Sequence, residues 1–320
     1  MRYIYFLLLI GLFLVGCHSA KKYDIEIKEL KIIGNNDDLI FANIRDIELY
    51  NNHLYVMDSD LFRLYKIDIN SYKYNFIQFN KGKGPGEFTL HPGRFIVFAD
   101  TIVILDNINR EMEFFTLEGK PLFSKKFEFM PHDIFSYKDS IYVSGNSKDN
   151  IIYAYDRNGN LGRSFIQPFF TGGLSVNWFS EICMHEDTFY ITDPYSTRII
   201  KWAKNLKWEY NNKDEKLISK PQKINKGKKY AFFQTSGWAM NGLFVKDDLL
   251  FASTFSVSKD KNRKKPHLLV IDTEKGRLVA KKQIDRPFRA KSFNRGKDIF
   301  AIKVEPFPCI VRVNIELKEL

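Results

Sequence analysis

The sequence lacks long segments in which apolar residues recur every three to four positions, and this absence argues against a helical bundle. Its most apolar run, residues 4–15, is shorter than the roughly 17–25 residues that a membrane-spanning helix needs. With only three cysteines, a disulfide framework is not expected. The six histidines show no metal-ligand spacing, and no Gly-x-Ser-x-Gly motif occurs, so a zinc site and a serine-hydrolase site are not expected either.

The amino terminus has the pattern of an export signal. Arg2 supplies a positive charge, the apolar run follows, and Leu14-Val15-Gly16-Cys17 ends it. These four residues resemble the lipobox of bacterial lipoproteins, a family in which the signal is cut before the cysteine and the thiol carries lipid. The alternative is an ordinary signal peptide with an incidental cysteine.

We therefore predict a signal peptide over residues 1–16, a tether over 17–22 and one folded domain over 23–320. Lipid on Cys17 would hold that domain at a membrane, because each buried methylene contributes about 0.8 kcal/mol. Residues 18–22 lack the acidic tract that related lipoproteins use for surface export. The resemblance therefore implies the cell envelope, at the periplasmic face of the outer membrane.

The formal net charge of +11 would suggest nucleic acid as a partner in an intracellular protein. The predicted export excludes that reading here, and the basic residues concentrate in apparent loops such as 226–229 and 259–265. Solvated loops are the simplest interpretation, and attraction to an anionic membrane or polysaccharide surface is the alternative.

One short unit recurs along the whole chain, and aromatic residues, which favour strands, make up 15% of it. The unit is a β-rich run that often ends in Asp, with further β-rich runs on both sides. Its copies are Leu54–Asp58, Ile102–Asp106, Ile141–Gly145, Phe189–Asp193, Leu250–Thr254 and Ile299–Lys303.

Short strands that recur every 40–60 residues are typical of propeller blades. We therefore predict an all-β fold, a six-bladed β-propeller with about four antiparallel strands in each blade. A β-sandwich would not produce so regular a recurrence. The early segment 23–30 is predicted to pair into the last blade and close the ring, which removes an exposed strand edge.

A glycine-rich passage sharpens this interpretation. Gly82-Lys-Gly-Pro-Gly-Glu-Phe88, the strand Ile102–Asp106 and then Asn109-Arg110 resemble the NHL repeat. The chain is similar to the NHL and TolB-like six-bladed propeller lipoproteins that are common in Bacteroidetes. The glycines are interpreted as an inter-blade turn, because the passage lacks the Gly-Lys-Ser/Thr ending and the helix of a phosphate loop. Asp58, Asp106 and Asp193 are predicted to accept backbone N–H groups in the turns that follow them.

Propellers commonly bind their ligands at the mouth of the central channel. Eight residues before each repeated unit the sequence has mostly charged residues, and one residue earlier it has other polar ones. The candidate ligand-binding residues at this mouth are Asp46, Arg94, His132, Asp133, Glu181, Asn241 and Lys291. The alternative is that these are opposite charges, exposed at the surface, that only pair with one another.

Two functions are compatible with this pattern. The first is a membrane-anchored, non-catalytic module that binds an envelope protein or a glycan, without a cofactor, a metal or a catalytic residue. The second is a propeller hydrolase or lyase with its site at the same mouth. Some similar propellers use calcium, but Arg94 and Lys291 would repel a cation there.

Overall fold

The computed structural model describes residues 23–34, 38–146, 150–166, 182–192, 199–210, 222–224, 232–234, 240–257, 264–284, 288–291, 299–303 and 306–320. The elements in these ranges are β-strands, and most of them form six four-stranded antiparallel sheets. This confirms the predicted all-β class and the six-bladed propeller. Within the same ranges, no helix has the length and apolar character to cross a membrane.

The six blades follow one another along the chain after β1 (Tyr23–Ile33). Blade 1 contains β2 (Ile44–Tyr50), β3 (His53–Asp58), β4 (Arg63–Asp68) and β5 (Tyr74–Gln78). The short strands β6 (Asn80–Lys81) and β7 (Glu87–Phe88) come next. Blade 2 contains β8 (Phe95–Phe98), β9 (Thr101–Asp106), β10 (Glu111–Thr116) and β11 (Pro121–Lys126). Blade 3 contains β12 (Met130–Tyr137), β13 (Ser140–Asn146), β14 (Ile152–Tyr155) and β15 (Leu161–Phe165).

The second half repeats this arrangement. Blade 4 contains β16 (Ile182–His185), β17 (Thr188–Thr192), β18 (Ile199–Ala203) and β19 (Asn205–Tyr210). A small hairpin of β20 (Gln222–Ile224) and β21 (Phe232–Gln234) precedes blade 5. Blade 5 contains β22 (Met240–Lys246), β23 (Leu249–Val257), β24 (Lys264–Asp272) and β25 (Leu278–Gln283). Blade 6 contains β26 (Phe288–Lys291), β27 (Ile299–Lys303), β28 (Cys309–Glu319) and, as its fourth strand, β1.

The ring closes through its first strand. β1 pairs antiparallel with β28, from Tyr23 opposite Glu319 to Ile33 opposite Ile310. The predicted closure by the amino-terminal segment is therefore confirmed. The first strand of each blade is the innermost one, and β2, β8, β12, β16, β22 and β26 contact one another around the ring, with β27 completing the contact to β2. These strands surround the central channel.

Apolar clusters between neighbouring blades hold the ring together. Among the described residues there is one such cluster for each of the six pairs of neighbours. The strand period of two explains how one blade serves two clusters. On β9, Ile102 and Ile104 pack towards blade 1, whereas Val103 and Leu105 pack towards blade 3. A single four-stranded sheet could not bury both of these faces.

Aspartates at the ends of second strands cap the turns that follow. The Asp58 carboxylate is fully buried and accepts backbone N–H groups from Ala42, Asn43, Asp60 and Leu61 at 2.7–3.2 Å. Asp106 accepts those of Ile108 and Asn109 at 3.0 and 2.8 Å. The structural role predicted for these two carboxylates is confirmed, and Asp193 lies outside the described residues.

The glycine-rich passage is a turn between blades 1 and 2, as predicted. The Glu87 carboxylate accepts the backbone N–H of Gly84 at 2.9 Å, and this hydrogen bond within the turn stabilises it. Gly86 has a φ of +76°, and an added Cβ would lie 2.9 Å from Pro121. Only glycine fits both of these requirements without strain.

Glu113 lies beneath this turn and makes stability depend on pH. Burial, followed by a hydrogen bond and charge repulsion from Glu111, raises its pKa to about 7, while the Gly86 backbone N–H acts in the opposite sense. The contribution of Glu113 to stability is therefore lost as the pH rises from about 4.5 to 7, because the folded state resists ionisation of this group. Glu113→Gln is expected to raise the free energy of unfolding by about 2–3 kcal/mol at pH 8. At pH 4 the two proteins should unfold at the same urea concentration, and an equal gain at both pH values would contradict the assignment.

Candidate functional site

The candidate site lies where the innermost strands begin, and β-bulges shape it. In blades 1, 3 and 5 the register shifts at Arg45, His132 and Asn241, so the strand has one residue more than its partner. In blade 2, Gly93 donates to the Leu105 carbonyl, and Leu105 donates to the Arg94 carbonyl, so two residues again oppose one. Such bulges redirect side chains at the rim of a sheet. The sequence did not reveal them.

The bulges bring three charged residues from successive blades into one row. Arg94 Nη1 lies 3.2 Å from Asp46 Oδ1, and Arg94 Nε lies 3.8 Å from Asp133 Oδ1. We call Asp46, Arg94 and Asp133 the mouth row. The clustering inferred from sequence spacing is therefore real for these three residues.

Backbone donors fix the carboxylates of the mouth row. Asp46 accepts the N–H of Ile47 in its own blade at 3.0 Å and that of Phe95 in the next blade at 3.2 Å. Asp133 accepts the N–H of Ile134 at 3.0 Å, and its own N–H donates to Ser144 Oγ at 3.1 Å. The row is therefore attached to the strands and its geometry is preorganised.

The mouth row is buried, which corrects one expectation. The sequence suggested that these charges, if they only paired with one another, would be exposed pairs worth little. Instead, the exposed fraction is 0% for Asp46 and 6% for both Arg94 and Asp133. Exposed pairs contribute about 0–1 kcal/mol, whereas removing one partner of a buried pair costs about 3–5 kcal/mol.

Gly93 allows the row to form in blade 2. An added Cβ would lie 2.3 Å from the Leu105 carbonyl oxygen and 2.4 Å from Asn107 Oδ1. A larger residue would push the bulge open and displace the neighbouring Arg94. Gly93 is thus a positioning residue that the search for charged side chains did not identify as part of the site.

His132 is the extra residue of the blade 3 bulge, next to the mouth row. It is 6% exposed, and burial lowers its pKa to about 4. The imidazole is therefore neutral near pH 7, and the mouth row together with His132 carries two carboxylates, one guanidinium and a neutral ring.

This shifted pKa predicts a loss of stability in acid. Because the unfolded chain binds a proton near pH 6.5 and the folded chain only near pH 4, stability is lost as the pH falls through this window. Between pH 7.5 and 4.5 the loss from His132 is about 2–3 kcal/mol. His132→Gln should therefore gain that much relative to the wild type over the same window in urea titrations. Since the comparison is with the wild type, the opposite contribution of Glu113 cancels, and a flat difference would contradict the prediction.

The other predicted mouth residues fall in blades 4 to 6. Glu181 lies outside the described residues. Asn241 is the bulge residue of β22. In blade 1, Asp46 pairs with Met57, the fourth residue of the repeated unit. The fourth residue of the unit in blade 6 is Ile302, and it pairs with Arg289, whereas Lys291 pairs with Phe300. Counting eight residues back from the repeated unit therefore selected Lys291 instead of Arg289 in blade 6. The error is two residues, because the seven residues 292–298 separate β26 from β27 there.

A second concave region lies at the side of the propeller. A cavity of about 860 Å³ between blades 3 and 4 is lined mainly by aromatic and polar side chains: Tyr142, Phe165, Phe189, Trp202, Arg163 and Asp187. The sequence gave no sign of it, because its lining comes from strands that are distant along the chain. It contains none of the predicted site residues.

A metal centre finds no support in the side-chain geometry of the described ranges. No group of three or more His, Cys, Asp or Glu side chains converges there. At the mouth, the Arg94 guanidinium occupies the space between the two carboxylates that a cation would need. The arrangement is suited to hydrogen-bond and ionic recognition.

Comparison with known proteins agrees with the geometry. A family model described as DUF5128, 6-bladed beta-propeller, matches residues 33–287. No curated protein is significantly similar in sequence.

Solved structures of other propellers resemble the chain. A Bacteroides fragilis protein that is thought to be exported is 13% identical, with a TM-score of 0.60 over 95% of this chain and 97% of that one. A DUF4221 member from Bacteroides vulgatus is 9% identical, with a TM-score of 0.61 over 94% and 100%. A gluconolactonase from Xanthomonas campestris is 12% identical, with a TM-score of 0.55 over 93% and 92%. At these identities the likeness concerns the fold alone.

Proposed function

The chain belongs to the DUF5128 family of six-bladed β-propellers, and from this premise we propose that it is an exported, lipid-anchored binding module. Its ligand, an envelope protein or a glycan, binds at the channel mouth, and the module catalyses no reaction. The lipid on Cys17 holds it at the periplasmic face of the outer membrane.

The observation that carries the proposal is the buried mouth row. Desolvating three charges is costly, and apolar residues of similar size often give a more stable protein. A row with two carboxylates, one guanidinium and backbone-fixed geometry is therefore better explained by recognition than by stability. The row lies at the starts of the innermost strands, where a ligand at the channel mouth would contact Arg94 and Asp133, each 6% exposed, while the fully buried Asp46 would act through Arg94.

The chemistry of the row favours binding over the hydrolase or lyase reading. A calcium-dependent reaction needs several oxygen ligands around one ion, and Arg94 holds the two nearest carboxylates. Neutral His132, with its pKa near 4, is a weak base at neutral pH. Fixed acceptors and donors of this kind suit hydroxyl, amide or ammonium groups of a ligand.

Cys17 gives the anchoring part of the proposal a sharp test. Replacing Cys17 with Ser removes the thiol that accepts lipid, so we expect the protein to move from the membrane pellet to the soluble envelope fraction. Incorporation of a radiolabelled fatty acid should vanish in the same variant. Ser19→Ala is the matched control and should stay in the pellet. A Cys17→Ser protein that remains in the pellet with its label would contradict lipid anchoring.

The binding part is tested by capture on immobilised residues 23–320. The neutral-mouth variant carries Asp46→Asn, Arg94→Met and Asp133→Asn, which removes all three charges and leaves none of them unpaired. The control carries Lys138→Met and Asp187→Asn, which neutralises an exposed pair, 2.7 Å apart, at the opposite ends of the strands. A glycan array and a detergent extract of the native envelope supply the ligands.

We expect the wild type and the control to retain the same ligand and the neutral-mouth variant to lose it. All three should melt within a few degrees of one another. Equal capture by the neutral-mouth variant would place binding elsewhere. Turnover of a lactone panel that the neutral-mouth variant loses would instead establish the enzyme alternative.

A further inference from the structure

Within the described part of the chain, the outermost strand of each blade pairs on one side only, and five of these six strands are interrupted by a β-bulge. The register shifts occur in β1, β11, β15, β19 and β25. In β5 the pairing with β4 runs without a shift, from Arg63 opposite Gln78 to Ile67 opposite Tyr74. Bulges protect strand edges from pairing with other chains, so β5 lacks a protection that its equivalents have.

The charged residues of the outermost strands distinguish β5 from the other five in the same way. Each of the five bulged strands contains at least one Lys or Arg, as in Lys125 and Lys126 of β11 or Arg163 of β15. The sequence of β5 is Tyr-Asn-Phe-Ile-Gln, without a charge, a proline or a glycine. Strands of this composition pair readily with other strands.

The backbone of β5 points three of its residues outwards. Phe79 donates to the Phe62 carbonyl and Asp68 donates to that of Lys73, which fixes the alternation of hydrogen-bonded pairs between β4 and β5. By this alternation the N–H and C=O groups of Tyr74, Phe76 and Gln78 face away from β4. The side chains of the same three residues are exposed, at 39% for Tyr74 and 45% for Phe76.

We propose that β5 pairs antiparallel with β5 of a second copy of this chain, about a two-fold axis at Phe76. This register places Phe76 opposite Phe76 and Tyr74 opposite Gln78, and all three outward residues of each strand exchange hydrogen bonds. Two four-stranded blades then form one eight-stranded sheet. Closed two-fold dimers are the commonest assemblies of identical chains.

The charges near β5 are compatible with this self-pairing. Arg63 stacks over Phe76 at 4.4 Å and its Nε donates to Gln78 Oε1 at 3.0 Å. In the two-fold register Gln78 lies between each Arg63 and Tyr74 of the second copy, and the two arginines lie at opposite ends of the paired strands. The register therefore places no like charges opposite one another.

The size of the contact sets the expected strength. Five residues from each copy, together with the exposed Tyr74 and Phe76 rings, cover less than the roughly 800 Å² per partner of a stable interface. A groove next to Tyr74 is lined by Ile32 but also by Lys31, Lys73 and Asp38, so it adds little apolar surface to the contact. The dimer should therefore form reversibly, at protein concentrations of about 10⁻⁴ M.

Sedimentation velocity on residues 23–320, at about 5–500 µM, tests this pairing. We expect the weight-average mass to rise towards twice the monomer mass. Phe76→Lys places a charge on the two-fold axis and should weaken dimerisation by at least about tenfold. Because it also removes the stacking of Arg63 on Phe76, its melting temperature should fall by a few degrees, and the monomer should stay folded. Leu122→Lys, at the exposed bulge of β11, is the matched control and should dimerise like the wild type.

Hydrogen exchange at high concentration provides the second measurement. The amides of Tyr74, Phe76 and Gln78 should exchange more slowly at 500 µM than at 5 µM, and those of Asn75 and Ile77 should not change. A monomer at every concentration, or a Phe76→Lys protein that dimerises normally, would overturn the proposal. A third outcome would also overturn the proposal. If the wild type stays monomeric but captures another envelope protein that Phe76→Lys does not capture, that protein and not a second copy of this chain binds the edge of β5.

Discussion

Replacing Arg94 with methionine is expected to lower the free energy of unfolding by about 3–5 kcal/mol. The substitution leaves Asp46 and Asp133 buried, close together and without the guanidinium between them. Methionine fills much of the same volume, so the loss reports charge and not a cavity. Urea titration of residues 23–320 at pH 7 measures it.

The neutral-mouth variant serves as the control for this result. With Asp46 and Asp133 changed to asparagine as well, neither carboxylate charge remains buried beside the methionine, and most of the lost stability should return. If the free energy of unfolding of the neutral-mouth variant stays as low as that of Arg94→Met, the mouth row would be required for stability and not for recognition. A loss below about 1 kcal/mol for Arg94→Met alone would show that water reaches the row, as it does for exposed pairs.

A chain that begins at residue 34 is expected not to fold. It loses β1, whose Ile25 and Ile33 are 0% and 4% exposed and whose backbone pairs along most of β28. Burying these two side chains contributes about 3–6 kcal/mol. The missing strand also removes a ladder of hydrogen bonds and exposes the edge of β28. Such losses approach the whole 5–15 kcal/mol that stabilises a typical domain.

A chain that begins at residue 23 is the matched control, because it lacks the predicted signal peptide and tether but keeps β1. It should melt cooperatively, whereas the shorter chain should aggregate or show no cooperative transition by circular dichroism. A cooperative transition in the shorter chain, within a few degrees of the control, would contradict ring closure by β1.

The fold could be predicted from the sequence because its signals are local and repeated. The second strand of every blade occurs where the recurring unit predicted it, from Leu54–Asp58 to Ile299–Lys303. The closing strand could be anticipated because a ring leaves an unpaired edge that an extra strand can cover. Both inferences need only the period and the alternation of apolar residues.

The site could be predicted only in part, because bulges and loop lengths are not visible in composition. The count along the chain found Asp46, Arg94 and Asp133 where the hairpins have similar lengths. It placed Lys291 where the register has Arg289, since the blade 6 hairpin is longer. Burial of the row was also missed, because it depends on how adjacent blades pack and not on the residues themselves.

If the mouth row is kept for recognition, its charges must contribute to the affinity for the ligand. The ligand eluted from the wild-type protein is titrated calorimetrically into the wild type and into the neutral-mouth variant, after both have been shown to melt alike. We expect a dissociation constant at least about tenfold higher for the variant, a difference of about 1.4 kcal/mol in binding free energy. Equal dissociation constants would contradict it.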